Sequence, residues 1–268
     1  MKTVKKLSLL LFVFSLMVVA CKKKEDTTPT QATSPGTAKK AYEKRWNVSS
    51  AQRLSQANTG ISIVAIEFTL GSYLIFYSND SVATGTYSEI NSQTLQLGNY
   101  GTLAITSLSD NSFNFVLTPT GAVAINVVSA PAPVLSTSAN TTALCQTWKI
   151  AKQTITVSDT SVKLQQTALG DTVLYVTFSQ YGTYLSKMTA GNNYVAFQTN
   201  SWKWTDSNEN SFCYGEWDGT NLTSCAGQSN ASISLSNNNA NLSVVAIYSD
   251  TANGKPFHIT ETDDLVVQ

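Results

Sequence analysis

What most limits this chain is a recurrence. Short runs of β-branched and aromatic residues follow one another, separated by turns built from Gly, Asn, Asp and Ser. Residues 62–69 read as a strand with Val64, Ile66 and Phe68 on one face, because successive strand side chains point to opposite sides. Gly71 follows as a turn residue, then an aromatic run over 73–77, then the turn Asn79-Asp80-Ser81. The same reasoning predicts strands at 84–90, 94–97, 103–108, 113–117 and 122–128. Helical spacing of apolar residues is not sustained anywhere in this region; a short helix over 38–46, leading into the first strand, is the one helical expectation. Strands this short and this regularly spaced predict an all-β barrel or sandwich.

The pattern repeats after Ala130-Pro131-Ala132-Pro133 and the Ser/Thr/Asn run that ends at Thr142. Trp46-Asn47-Val48 matches Trp148-Lys149-Ile150. Ile66-Glu67-Phe68, Gly71 and Tyr73-Leu74 match Val176-Thr177-Phe178, Gly182 and Tyr184-Leu185. Thr86-Tyr87 is paired with Trp202-Lys203-Trp204, and Ile105-Thr106 with Ile259-Thr260. The expectation is two tandem antiparallel β units, residues 41–130 and 143–268, joined by a linker over 131–142.

A Trp on the first strand, a later strand ending Phe-x-x-(x)-Gly-x-Tyr and then a Tyr- or Trp-bearing strand resembles the lipocalin-like domains of Bacteroidetes lipoproteins. The resemblance is clearest over 144–205 and weaker over 44–117. It implies lipocalin-like up-and-down barrels of about eight strands, whose closure removes exposed sheet edges. It carries no catalytic residues. The short first unit and the long Asn/Ser-rich segment 206–256 keep β-sandwiches as the alternative.

The N-terminus reads as an address. Lys2, Lys5 and Lys6 precede an apolar run from Leu7 to Ala20. That run is too short to cross a bilayer as a helix and fits a secretory signal over residues 1–20. Val18-Val19-Ala20-Cys21 resembles a bacterial lipobox, which implies cleavage before Cys21 and acylation of that residue, palmitate included. Residues 21–40 have a tether's composition. Within them Lys24-Glu25-Asp26 resembles the surface-export signal of Bacteroidetes lipoproteins. The expected place is the outer membrane, held through lipidated Cys21 and facing either the periplasm or the cell surface.

Charge supports this division. Lys and Arg number 17, as do Asp and Glu. Between Arg53 and Lys149 there is no basic residue, and beyond Arg53 six Lys face fourteen carboxylates. A body this poor in cations has no footprint for nucleic acid.

Few residues carry chemistry. His258 is the single histidine, and no G-x-S-x-G or phosphate loop is present, so no catalytic residue and no cofactor is expected. Cys spacing excludes a zinc site of the usual form, and Asp206-Ser207-Asn208-Glu209-Asn210 departs from a calcium loop at its sixth and twelfth positions, so no metal is assigned. Cys213 and Cys225 are the disulfide candidates, outside the cytosol. Tyr184, Trp202, Trp204 and Trp217 are the ligand-binding candidates, since paired aromatics line cavities or stack on sugars. The expected role is non-catalytic binding of a small apolar molecule or glycan. The alternatives are an adhesive β-sandwich, or a polysaccharide hydrolase drawing on Glu209, Glu216 and Asp218.

Overall fold

The computed structural model describes residues 40–53, 61–69, 71–157, 163–164, 172–190, 194–217, 219, 221–252 and 255–268. The signal, the lipobox with Cys21, and all but the last residue of the tether lie outside them, as does Asp218.

The first unit contains β1 (Arg45–Arg53), β2 (Ile63–Thr69), β3 (Ser72–Tyr77), β4 (Val82–Thr86), β5 (Ser88–Asn91), β6 (Thr94–Leu97), β7 (Gly101–Leu108), β8 (Phe113–Pro119) and β9 (Ile125–Pro131). Neighbours pair in the order β4-β3-β2-β1-β9-β8-β7-β6-β5. The two ends of that order, β4 and β5, are separated in sequence by Tyr87 alone. One bent strand therefore pairs β3 with its first half and β6 with its second, and the sheet closes into an eight-stranded up-and-down barrel.

A short helix, α1 (Ala139–Leu144), then leads into the second unit. Ser138 caps it, its side chain accepting from the Thr141 N–H. The second unit contains β10 (Thr147–Val157), β11 (Lys163–Leu164), β12 (Thr172–Phe178), β13 (Thr183–Ala190), β14 (Tyr194–Trp204), β15 (Ser211–Glu216), β16 (Ser229–Ser236), β17 (Asn241–Ala252) and β18 (Lys255–Val267). Apart from the two-residue β11, each strand pairs with its sequence neighbour, and β10 also pairs with β18, so this unit is closed as well. Closure replaces the sandwich alternative in both units: each first strand is hydrogen-bonded to both its second and its last.

The two barrels repeat each other in detail. Trp46 pairs with Ile66, and Trp148 with Val176. Each indole N–H donates to a carbonyl four residues back, Trp46 to Tyr42 and Trp148 to Leu144, both at 2.9 Å. Gly71 and Gly182 both turn at positive φ, 83° and 85°, where a side chain would be strained. Each then accepts the N–H of an equivalent residue, Tyr87 at 3.0 Å and Trp202 at 2.9 Å. Both first strands bulge at the same step, between Val48 and Ser50 and between Ile150 and Lys152.

Three expectations are corrected. Residues 40–44 form turns, not a helix, and the chain enters β1 at Arg45. Val64 does not share a face with Ile66 and Phe68. A register shift between Ile63 and Ala65 leaves it as the extra residue, exposed, while Ile63 faces the core. Ile105 is not the counterpart of Ile259: it lies on β7, whose equivalent is β16, whereas Ile259 lies on β18.

The barrels pack against each other. Ala65, Leu74 and Phe76 of the first meet Leu185 of the second, with Phe197 and Trp217 at the margin. No described helix is long and apolar enough to cross a membrane.

Candidate functional site

The interior of the first barrel is filled. Trp46, Phe68, Phe113 and Phe115 stack within a cluster closed by Ile66, Ile75, Leu103 and Leu117. The second barrel is filled at one end only. There Leu144, Trp148, Phe178, Trp202, Trp204 and Phe212 pack together. Beyond them lies a cavity of about 260 Å³.

The repeat explains the space. Register equates Ala246, opposite Glu261, with Leu117, opposite Ile125. It equates Val244 with Phe115 in the same way. On β13, Ser186 and Met188 occupy the places of Ile75 and Tyr77 on β3. Four inward positions thus carry smaller or more flexible side chains in the second barrel, and each loses volume against a fixed backbone.

Aromatic and aliphatic groups form most of the wall, including Leu174, Val176, Phe178, Tyr184, Phe212 and Tyr214. One strand differs. Glu261 and Asp263 of β18 line the cavity and are each only 5% exposed. The Gln153 amide bridges them, donating to Glu261 Oε1 at 2.7 Å and to Asp263 Oδ1 at 3.0 Å. The bulge on β10 is what delivers that amide. Strict alternation from Ile150 would aim Lys152 inward. The extra residue instead sets Lys152 opposite Asp264 on the outer face and Gln153 opposite Asp263 within.

Electrostatics follow from burial. Desolvation raises the Asp263 carboxyl, the Gln153 hydrogen bond lowers it, and the Asp264 charge raises it, leaving it at about 6. Burial also pushes the Tyr184 phenol well above its ordinary value, with Tyr214 and Glu261 adding to the effect.

Of the four aromatic candidates, Tyr184 lines the cavity. The other three do not. Trp202 is fully buried in the packed end, its N–H donating to the Ser179 and Thr183 carbonyls at 3.0 Å. Trp204 stands edge-on to Trp202 and donates to Thr141 Oγ1 at 2.8 Å. Trp217 lies between the barrels, 4.7 Å from the Phe76 ring and beside the Arg45 guanidinium. Trp202 and Trp204 share a face as alternation requires, and that face meets the core rather than the cavity. The Glu261–Asp263 pair was overlooked in the sequence, although its alternation with Leu265 places both carboxylates on an apolar inward face.

Cys213 and Cys225 form a disulfide, with Cα atoms 5.5 Å apart. Cys145 is half-buried and outside it. Glu216 is exposed and Glu209 is engaged elsewhere, holding Ser136, Ser138 and Thr141 at the start of α1. The hydrolase alternative thus has no described pair of facing carboxylates among its named residues. His258 is exposed.

No protein-family model matches the chain, and no curated protein matches it. Among solved structures, a transferrin binding protein B variant from Haemophilus parasuis aligns at 9% identity and a TM-score of 0.25, covering 84% of this chain and 60% of that one. The isotype 1 transferrin binding protein B of serogroup B Neisseria meningitidis aligns at 12% identity and a TM-score of 0.26, covering 84% and 43%. The chain thus spans about half the length of these proteins, and likeness at this level assigns neither fold nor function.

Proposed function

We propose that the chain is a lipid-anchored extracytoplasmic lipoprotein with a non-catalytic binding role, and that its second barrel holds a small, mostly apolar molecule. The observation that carries the binding role is the contrast between the barrels. One fold occurs twice, and among the described residues the copy with reduced side chains holds a cavity of about 260 Å³ lined largely by apolar groups. Such space lies just below the range usual for drug-sized ligands, which favours a compact molecule. A glycan is less well served, because the Trp202–Trp204 pair that could stack on sugar rings is packed in the core. Anchoring at Cys21 and a place on the outer membrane rest on the N-terminal pattern alone.

A naphthylamine dye tests the binding role. Its fluorescence should rise with the purified chain and fail to rise with Ala246→Trp, which fills the cavity. Equal enhancement by both proteins would overturn the proposal. Cys21→Ser should abolish incorporation of labelled palmitate, and protease treatment of whole cells should remove the chain if it faces outward.

A further inference from the structure

We infer that the molecule taken by the second barrel carries a protonated amine or similar cationic head, seated against Asp263 and Glu261, on a compact apolar body. This rests on the cavity being a binding site, and it adds the chemical class.

The two barrels differ at the acidic strand. Register equates Asp263, Glu261 and Gln153 with Val127, Ile125 and Ala51. In the first barrel those three belong to the apolar core or pack against it. An eight-stranded barrel of this design therefore closes without carboxylates at these positions. Two acidic side chains and an amide in the second copy are not demanded by the fold.

Burying such groups is costly. A carboxylate removed from water is unfavourable unless it is neutralised or strongly hydrogen-bonded. Among the described residues, no Lys, Arg or His lies within salt-bridge distance of Asp263, and its hydrogen bond comes from a neutral amide. Gln153 of β10 and Val244 of β17 are its cross-strand partners, and Tyr184, Ser186, Gln198, Tyr214 and Glu261 line the same cavity. The nearest candidate cation, Lys152, is turned outward by the bulge and exposed. Asp264 on the outer face adds negative charge. A cation entering the cavity gives the Asp263 carboxylate a charged partner, and a charge-assisted hydrogen bond in low dielectric is the stronger kind.

Tyr184 is more than nine-tenths buried, lines the same cavity, and makes no hydrogen bond through its hydroxyl among the described residues. A buried phenol usually finds a partner. Here an amine or ammonium group could serve it, while the rings of Phe178, Tyr184 and Tyr214 offer faces to a cation and its apolar body.

Calorimetric titration of the purified full chain with three probes of one shape tests this: naphthylethylamine, naphthylethanol and naphthylacetate, at neutral pH. The amine should bind about tenfold more tightly than the alcohol, and the acetate most weakly. Asp263→Asn should bring the amine to within about twofold of the alcohol without loss of folded circular dichroism. Should that variant not fold, Glu261→Gln provides the same comparison. The inference is overturned if the alcohol or acetate equals the amine on the wild-type chain, or if the amine's advantage survives the substitution. If none of the three binds, or if Ala246→Trp binds them as the wild type does, the cavity reading itself fails and the inference with it.

Discussion

The Arg45 guanidinium grips the Glu67 carboxylate, with Nε–Oε2 at 2.9 Å and the terminal nitrogen at 2.8 Å, at the junction of the two barrels. The two residues are cross-strand partners on β1 and β2. Both point away from the first barrel's core and toward the second. Thr183 of the second barrel donates to both Glu67 oxygens, at 3.2 and 3.0 Å. Arg45 in turn donates to the Tyr181 carbonyl at 3.1 Å and to Asn221 Oδ1 at 2.9 Å. The pair is almost fully enclosed, and the contacts it makes to Thr183, Tyr181 and Asn221 exist only while the barrels stay together.

That relationship predicts a large effect from a small change. Removing one partner of a buried pair strands the other charge, at about 3–5 kcal/mol. Glu67→Gln should therefore destabilise the fold by that order and lower the denaturation midpoint accordingly. It should also separate one unfolding transition into two, because the barrels lose their shared polar contact. Differential scanning calorimetry reads both outcomes. A variant that unfolds in one transition at the wild-type temperature would show that the junction contributes nothing.

The strands and the duplication were legible in the sequence because they depend on side-chain type and spacing. Trp46 and Trp148, Gly71 and Gly182, and Phe68 and Phe178 stand where matching strand patterns place them. The bulges were not legible. An extra residue such as Val64 or the one between Ile150 and Lys152 changes no composition, yet it reverses every inward and outward assignment beyond it. Gln153 consequently carries no inward signal in the sequence pattern. Trp202 and Trp204 were assigned the correct shared face, but alternation does not say how far along a barrel a side chain sits. That depth decides between core and cavity wall.

The volume argument makes Ala246 the most informative single position. Ala246→Leu restores the residue that the first barrel has at this place, Leu117. Filling an existing void without new strain stabilises by about 1 kcal/mol. The same change should weaken binding of an apolar probe. The reciprocal variant, Leu117→Ala, opens space in a packed core and should cost about 3 kcal/mol. Urea denaturation of the two variants measures the opposite signs, and equal destabilisation by both would contradict the proposed equivalence.

Asp263 predicts how stability follows pH. Burial lifts its carboxyl to about 6, above the ordinary aspartate value of about 4, so the folded state binds more protons between those values. Stability from this group is then fully present below about pH 4 and falls as pH rises through 6, by about 2–3 kcal/mol. Asp263→Asn removes the dependence. The variant should be more stable than the wild type at pH about 7.5 and similar to it at pH about 4. Denaturant titrations at the two pH values give the comparison, and a wild-type advantage at the higher pH would be the wrong sign.

The disulfide extends the junction argument to redox conditions. Cys213 lies on β15 and Cys225 twelve residues later, and the loop between them carries Asn221. The Asn221 amide donates to the Tyr181 carbonyl at 2.9 Å while its oxygen accepts from Arg45. Lys203 pins the same loop through the Thr223 carbonyl at 3.0 Å. Cutting the bond should therefore do more than release chain entropy, which is about 3 kcal/mol for a loop of this size. It should also free Asn221 and weaken the hold on Arg45. Replacing both cysteines with alanine in the Glu67→Gln background tests the coupling. If loop and ion pair form one junction, the combined loss is smaller than the sum of the separate losses, since the second change removes a contact already weakened. Strict additivity would mean that the disulfide stabilises its own hairpin and does not reach the first barrel.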